Sequence, residues 1–576
     1  MKGKQMKKDF KAEIAKLVSD SEEMVDADEI ESIIETPNDD ANGDYALPCF
    51  TLAKKFRKSP NLIAEDLAEK LFKADFIEKI EPVSGYLNFY LKKESFIKDT
   101  LDEVISKLSA YGHLSSNDKT VVVEFSSPNI AKPFHIGHIR STLIGNALAN
   151  ISKALGYNTV RVNHIGDYGT QFGKIISAYK RWGNEEDVNR EPVKTLLSYY
   201  TRFHAEAETD ETLEEEARMH FKNLEEGREE ETKLWKWFRD VSLKEFGKVY
   251  DLLGIKFDSF DGESFYTDKM PAVIDEMESM NLLEKSRGAT IVNLQKYNMT
   301  DVLVKKSDGS SLYITRDIAA AIYRHEKYNF YKNIYVVGAQ QDLHFKQLVK
   351  ILELMNKPFA KDCVHVPFGM VSIEGGTLST RNGTVVFLED VLSKAIEKTL
   401  VTLEDRNFSS DKRQEVARQV GVGAVVFQEL YNTRIKDYQF SWDRALSFDG
   451  ETGPYVQYTC ARANSVLSKA SDEGIAIKDI KDVDISYITN KSAYALVRLI
   501  FNFSDKLTEA FERYEPSIVA RYAMDVCKAF NRFYHDEHIL TDNEEERDAK
   551  LLLVKASVIL LKNVLKILGM ESPDKM

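Results

Sequence analysis

The sequence is short of cysteine, of long apolar runs and of positive charge, and each shortage excludes something. Its four cysteines, Cys49, Cys363, Cys460 and Cys527, lie far apart with no CxxC spacing among 576 residues. That excludes a disulfide scaffold, gives no zinc site, and suits a reducing compartment. No stretch of 18 apolar residues occurs, and the most apolar region, Leu551 to Leu568, is interrupted by Lys555, Lys562 and Lys566. It predicts an amphipathic helix rather than a membrane span. The N-terminus, MKGKQMKKDFKAEIAK, is basic but lacks the apolar core of a signal peptide. A soluble, cytoplasmic protein is expected. The composition, 43% hydrophobic and 30% charged, excludes collagen and disorder and allows large cores. At about 150 residues per domain, about four domains would account for the length. Lys and Arg number 78 against 92 Asp and Glu, for a net charge of −14. Taken alone, this balance argues against a nucleic-acid partner, because phosphates need local cations. Most of the excess is local, however. Between Glu206 and Glu231 twelve acids face only Arg218, Lys222 and Arg228, a pattern expected of a solvated helical face. The acidic total therefore leaves a polyanionic partner open.

Residues 1–117 have the pattern of a small α+β unit. Phe10, Ile14, Leu17 and Val18 fall at helical spacing, and a turn-rich stretch runs from Pro37 to Asp44. Ser59-Pro60 reads as a helix start, Tyr86–Leu91 alternates like a strand, and Tyr111–Asp118 reads as a linker. The character then changes. Thr120–Phe125 is a β-branched run suited to a buried parallel strand. A loop with Pro128 and Pro133 leads to a helix with apolar Ile139, Leu143, Ala147, Ile151 and Ala154, and Gly156 and a second strand at Thr159–Asn163 follow. This βαβ unit opens a doubly wound parallel sheet, predicting an α/β domain over residues 118–395. A charged helical insertion interrupts it at about 175–250. Strand-like runs resume at Thr290–Leu294, Ile334–Val337 and Val364–Val366. The chain is helical from 396, with a linking region to 455 and an all-α bundle over 456–576. No internal repeat is visible.

Ser126-Ser-Pro-Asn-Ile-Ala-Lys-Pro-Phe-His-Ile-Gly-His138 sits outside the carboxyl end of the first strand, where doubly wound sheets bind ligands. Gly137 lets a ligand approach the backbone, and the helix start offers free N–H groups to phosphate. His135 and His138, three apart, can face the same way and donate to phosphate oxygens as charge develops, and Lys132 adds a cation. The bland reading is that the two histidines merely cap a helix. A Walker loop is absent.

This segment resembles the signature of class I aminoacyl-tRNA synthetases, in the form found in the arginyl enzymes. The likeness continues through Asn163–Gly173, Tyr313–Ala319, Val337–Phe345 and Gly453–Tyr458, so it covers most of the chain from about 120 onward. It implies a Rossmann-like catalytic domain, an N-terminal domain meeting the outer corner of tRNA and a C-terminal anticodon-binding bundle. It implies ATP-dependent activation of arginine and transfer to tRNA(Arg), with Mg2+ accompanying ATP, no zinc, and a monomer. His135 and His138 would meet the ATP phosphates, with Gly137, Met370, Ser379, Thr380 and Arg381 also at ATP. One departure stands out. The second loop of class I enzymes usually carries lysine, whereas Gly375–Thr384 has none, and Arg381 is the only Lys or Arg between Lys361 and Lys394. The resemblance implies that Lys132 supplies the missing charge. A catalytically silent RNA-binding paralogue is the alternative.

A guanidinium needs carboxylates and an aromatic or hydroxyl neighbour. The family pattern puts Tyr313 and Asp317 there, with Glu263 a second carboxylate, and Glu124, Asn129 and Gln341 at the amino-acid head group. Glu124 could instead be a structural carboxylate, and Asp317 a helix-surface acid. Lysine or citrulline would leave buried acceptors unpaired, a discrimination that can reach roughly 10⁴ without editing. A class I enzyme for another amino acid, such as cysteine, glutamine or lysine, is a further alternative; the lack of zinc-ligand spacing opposes cysteine, and the Tyr313/Asp317 pair favours a cationic side chain. For tRNA the resemblance implies Asn42 and Tyr45 on the N-terminal turn. It adds Tyr455, Tyr458 and Arg462 on the bundle and the tail ending at Met576. Tyr455 and Tyr458 could equally be core aromatics. Lys54, Lys55, Arg57 and Lys58 form a basic cluster that could equally be a solvated face.

Overall fold

A computed structural model describes residues 9–37, 40–71, 74–305, 313–373, 386–404 and 406–576. Packing sorts the chain into two compact units. One is Met1–Tyr111 with Val466–Phe501 and Ala529–Leu560; the other is Gly112–Ser465 with Asn502–Lys528 and Leu561–Met576.

In the first unit, β1 (Tyr45–Pro48), β2 (Ile77–Val83) and β3 (Tyr86–Leu91) form an antiparallel sheet in the order β1-β3-β2. The Pro60–Lys70 helix starts as its sequence predicts, with the Ser59 side chain accepting the Leu62 N–H. Phe10, Ile14 and Val18 are buried on the Phe10–Ser21 helix, and Phe10 packs with Phe96 and Phe501 at centroid distances of 5.6 Å. The turn before β1 requires Gly43, whose φ is +89° and whose absent Cβ would lie 2.7 Å from the Phe89 carbonyl oxygen. Asp44 beside it accepts from the Leu91 N–H at 2.8 Å and from the Tyr494 hydroxyl at 2.7 Å.

In the second unit, β4 (Thr120–Glu124) and β5 (Asn158–Val162) flank the Ile139–Ala154 helix in sequence. The short strands β6 (Glu284–Ser286), β7 (Ala289–Val292) and β8 (Val302–Lys305) follow, then β9 (Phe330–Gly338) and β10 (Cys363–Phe368). A parallel sheet forms in the order β10-β9-β4-β5. Val121, Val122 and Val123 are wholly buried, as a strand covered on both faces requires. The chain leaves β4 toward β5 on one side and returns to β9 and β10 on the other. The connection therefore reverses between β4 and β9, where open α/β sheets offer a crevice. The run at 290–294 does not join this sheet: β7 pairs antiparallel with β6 and β8. One core joins Val122 and Val162 to Ile314, Ile318 and Ala321 of the Tyr313–Tyr328 helix. The same core takes in Leu348 and Ile351 of the Asp342–Leu354 helix. Two further strands, β11 (Val371–Ile373) and β12 (Tyr438–Phe440), pair in parallel.

The insertion is helical and most of its acids are exposed, as expected of a solvated face, but many of them also meet basic side chains and Glu231 is buried. Glu214 meets Lys174 at 2.6 Å, Glu216 meets Arg181 at 2.5 Å, and buried Glu231 contacts His220 at 2.9 Å and Lys180 at 3.4 Å. Glu206, Asp210, Glu226, Glu229 and Glu230 also face basic partners. Helix-on-helix packing sets Glu214 and Glu216 of one helix and Glu230 and Glu231 of the next opposite Lys174, Lys180 and Arg181 of Thr170–Trp182, whereas Glu206, Glu226 and Glu229 meet bases four residues away along the chain.

The C-terminal third is helical, including Gly453–Asp472, Lys491–Phe501, Ser517–Asp536 and Glu544–Ile567. Among the described residues no helix is long and apolar enough to cross a membrane. All four cysteines are buried and free.

Candidate functional site

The loop leaving β4 is contorted. Ser126, Ser127 and Ala131 adopt positive φ of 72°, 46° and 56°, a left-handed region costing a non-glycine residue about 1 kcal/mol. Several bonds hold this shape. The Ser126 N–H donates to Ser141 Oγ at 2.9 Å, Thr142 Oγ1 donates to Ser126 Oγ at 2.9 Å, and Ser126 Oγ pairs with the Tyr250 hydroxyl at 2.8 Å. Further along, the Ala131 N–H donates to Ser242 Oγ at 3.0 Å, and Ser141 Oγ donates to the Val336 carbonyl of β9 at 2.7 Å. The loop is thus bonded both to the insertion's last helix, Glu229–Leu252, and to the sheet.

His135 caps the short turn Ile136–His138, which runs straight into the Ile139–Ala154 helix. Its Nδ1 accepts the Gly137 N–H at 3.0 Å, and His138 Nδ1 accepts the His135 N–H at 3.2 Å. A neutral imidazole with an accepting Nδ1 carries its proton on Nε2, so both rings keep Nε2–H as a donor. The ring centroids lie 4.0 Å apart. Burial depresses both rings, taking His138 down to about 3 with His135's charge adding to the effect. Both are neutral at pH 7. The capping of the bland reading is present, and the same bonds orient both rings.

Lys132 is half-buried, with Nζ 5.6 Å from the Tyr200 ring centre. Burial lowers its pKa, and the Glu263 carboxylate opposes that shift. Glu263 leads to the acid cluster the sequence assigned to a guanidinium. Its carboxylate lies 3.3 Å from Arg316 Nη1. Burial pushes it up to about 7, with Arg316 resisting and Asp317 and Asp167 reinforcing the rise. Tyr313, 56% exposed, begins its helix, and Asp317 follows one turn on. Asp317 is not a bare surface acid: its carboxylate accepts from His344 Nε2 at 2.6 Å. Burial works against His344's proton, but the Asp317 bond prevails and its pKa rises.

Glu124, expected at the amino-acid head group, is buried and ion-paired with Arg324, whose guanidinium also approaches His164 Nδ1 at 3.4 Å. Glu124 thus has the arginine partner that the structural alternative called for. Asn129 is exposed, its backbone bridged to Gly166, and Gln341 is exposed in the turn after β9. Met370 is exposed, its N–H donating to Asp437 at 2.5 Å. Ser379, Thr380 and Arg381, with the whole lysine-free stretch Gly375–Thr384, lie outside the described residues.

Sequence reasoning missed several residues that organise the site. Arg316 and Arg324 supply cations inside it, and His344 pairs with Asp317. Buried Asp167 accepts from the Ser264 N–H and hydroxyl, each at 2.8 Å, and from Arg239 Nε at 3.1 Å, tying the loop after β5 to Glu263's turn. Arg316 lies inside the Tyr313–Ala319 segment and could have been found by asking what neutralises two neighbouring, partly buried acids. The partners of Asp167 and Glu124 are 72 to 200 residues away and leave no local signal.

The tRNA candidates are divided between the two units. Asn42, exposed, and Tyr45, half-buried, belong to the first unit. Tyr455 and Tyr458 are half-buried on Gly453–Asp472, with the Arg462 guanidinium 4.8 Å from the Tyr458 ring centre. The tail is docked: Arg418 grips Glu571 at 2.6 and 2.8 Å, and Met576 packs against Leu403, Val416, Ala417 and Val420. In the basic cluster, Lys55 pairs with Glu29 and Lys58 with Asp66.

Comparison with known proteins bears on all of this. The family described as "tRNA synthetases class I (R), catalytic domain" matches residues 100–442. The "DALR anticodon binding domain" matches 456–576, and the "Arginyl tRNA synthetase N terminal domain" matches 4–91. An arginine–tRNA ligase of Halothermothrix orenii is 54% identical over 99% of this chain and 100% of its own length. One from Clostridioides difficile is 52% identical over the same shares. Among solved structures, Thermus thermophilus arginyl-tRNA synthetase superposes with a TM-score of 0.83 at 24% identity, covering 98% of this chain and all of that one. The Plasmodium falciparum enzyme gives 0.79 at 25%, covering 98% and 99%.

Proposed function

The chain belongs to the arginyl-tRNA synthetase family, and on that premise we propose how its residues divide the work of an arginine–tRNA ligase. The enzyme joins L-arginine to tRNA(Arg) in two steps. The arginine carboxylate attacks the α-phosphorus of ATP, the bond to the bridging oxygen breaks, and pyrophosphate leaves. A ribose hydroxyl at the tRNA terminus then attacks the carbonyl of the arginyl-adenylate, losing its proton and releasing AMP. Neither step needs a protein nucleophile. Both need positioning and donors aimed at developing charge.

His135 and His138 aim Nε2–H at the phosphates. Gly137 leaves the backbone open there, and Lys132 supplies the cation that the Gly375–Thr384 stretch lacks. Met370, Ser379, Thr380 and Arg381 complete the nucleotide site. Tyr313, Asp317 and Glu263 take the guanidinium, and Asn129, Gln341 and Glu124 take the head group, Glu124 while still bridged to Arg324. Mg2+ supplies charge neutralisation when it enters with the triphosphate. Asn42 and Tyr45 meet the corner of the tRNA, and Tyr455, Tyr458, Arg462 and Met576 meet its anticodon end. The division is 1–117 for the corner, 118–395 for catalysis, 396–455 for the stem and 456–576 for the anticodon, in a monomer working in the cytoplasm.

One observation carries the residue assignment. Arg316 Nη1 lies 3.3 Å from Glu263, and its chain neighbour Asp317 accepts from His344 Nε2 at 2.6 Å, so two carboxylates are held beside Arg316, one turn of helix from exposed Tyr313. That set of acids beside an aromatic hydroxyl supports a guanidinium site, and Lys132 of the histidine loop feels the Glu263 charge. ATP–pyrophosphate exchange with each amino acid, with and without tRNA, tests the reading. Exchange is expected with arginine alone among amino acids and only with tRNA present, falling about 10²-fold or more in Lys132→Ala. Exchange with another amino acid overturns the specificity, and full activity in Lys132→Ala overturns the compensating role.

A further inference from the structure

Arg316 does no work in the assignments above, yet it is placed where it controls one of them. Its guanidinium is almost fully buried and lies 5.5 Å from the Tyr168 ring centre and 5.4 Å from that of Tyr313. Its Nη1 is 3.3 Å from Glu263, but neither Nη1 nor Nε makes an aligned hydrogen bond among the described residues. The contact is therefore one of charge held by two aromatic faces. It leaves the Glu263 oxygens free to accept from a second guanidinium, and a carboxylate has about four lone-pair sites to offer. Among the described residues, the other charges that act on Glu263 have positions of their own. Asp317 is engaged by His344, and Asp167 by Arg239 and Ser264. Lys132 belongs to the histidine loop, and the Tyr168 N–H contributes a backbone bond.

We infer that Arg316 is the positioning residue for arginine selection, holding Glu263 as an aimed anion so that the substrate's guanidinium meets a charge rather than a neutral acid. The inference rests on Glu263 belonging to the arginine site. Two neighbouring, partly buried acids oppose each other's ionisation. Glu263 already sits near 7 with Arg316 in place, raised by burial and then by Asp317 and Asp167. Without Arg316 its proton would be held still more tightly, and the acid would be neutral at the working pH.

The test is the KM for arginine in tRNA aminoacylation, measured from pH 6.5 to 9 for the wild type, Arg316→Gln, Arg316→Lys, Glu263→Gln and the double variant of Arg316→Gln with Glu263→Gln. Arg316→Gln is expected to raise arginine KM about tenfold or more at pH 7, since each unit of proton affinity is a factor of ten. The ratio to wild type should shrink steadily as pH rises, with the KM for ATP unmoved. Arg316→Lys should recover most of the loss, and the double variant should be no worse than Glu263→Gln. A ratio constant across the pH range, or a double variant much worse than Glu263→Gln, overturns the inference in favour of a purely structural arginine. The wild-type reaction separates the two levels: no arginine-dependent charging by the wild type counts against the functional reading, whereas normal charging with a pH-flat Arg316→Gln counts against Arg316 alone.

Discussion

Arg140 donates from Nε to Glu429 across 2.7 Å, and neither side chain touches solvent. The same guanidinium donates to the Lys436 carbonyl at 2.8 Å, and Tyr438 donates its hydroxyl to the second Glu429 oxygen at 2.6 Å. Two residues after His138, this cluster fixes the start of the histidine-bearing helix against Ser410–Tyr431.

Breaking that pair from one side should be costly. Arg140→Met leaves Glu429 buried and unpaired, which typically destabilises by about 3–5 kcal/mol. Replacing both partners together with apolar residues should recover most of the loss, because the desolvation of two charges is then no longer required. Urea midpoints of the single and double variants decide it. A single variant within about 1 kcal/mol of wild type, or a double variant worse than the single, contradicts the account.

The histidine pair gives a pH signature with a definite sign. Burial holds His138 near 3 against an ordinary 6.5, so the folded state refuses a proton that the unfolded chain accepts. Its neutral form costs nothing above 6.5. Stability is lost as pH falls from there toward 3, at about 1.4 kcal/mol per pH unit. His138→Gln should abolish this component, so the difference in Tm between wild type and variant should grow in the variant's favour from pH 7 to pH 5. Parallel Tm curves over that range would show that His138 is not held neutral.

Ser127 offers a gain. Its φ of 46° and its buried hydroxyl without a hydrogen-bond partner are both unfavourable. Ser127→Gly removes left-handed strain of about 1 kcal/mol and an unmet hydroxyl worth about 1–3, at a backbone-entropy cost of about 0.5–1. A net gain of about 1–3 kcal/mol is expected in chemical denaturation. Stabilisation with a raised KM for ATP would mean that the serine's stiffness serves the nucleotide.

How much was legible beforehand follows from the range of each interaction. The valine run of β4, the apolar spacing of Ile139–Ala154 and the loop between them act within about 40 residues, and the sheet edge they build was readable from the chain alone. The Ser59-Pro60 helix start was readable for the same reason. The pairing of Glu124 with Arg324 spans 200 residues, and that of Arg140 with Glu429 spans 289. Nothing in either neighbourhood announces such partners. The run at 290–294 was legible as a strand but not as antiparallel, because four residues fix a side-chain alternation and not a direction. The left-handed serines were invisible too: Ser126 and Ser127 look like any loop residues until the hydroxyls of Ser141, Thr142 and Tyr250 are placed around them.

The helical insertion carries its own counter-ions. Eight of the twelve acids between Glu206 and Glu231 face a lysine, arginine or histidine. Their fields are largely cancelled at source, and at physiological ionic strength what escapes fades within about 8 Å. A polyanion the size of tRNA, approaching from solution, would thus meet a patchwork of short-range potentials and not the uniform repulsion of a body charged to −14. Formal charge here measures how many carboxylates the chain owns, and says little about how many an approaching molecule can feel.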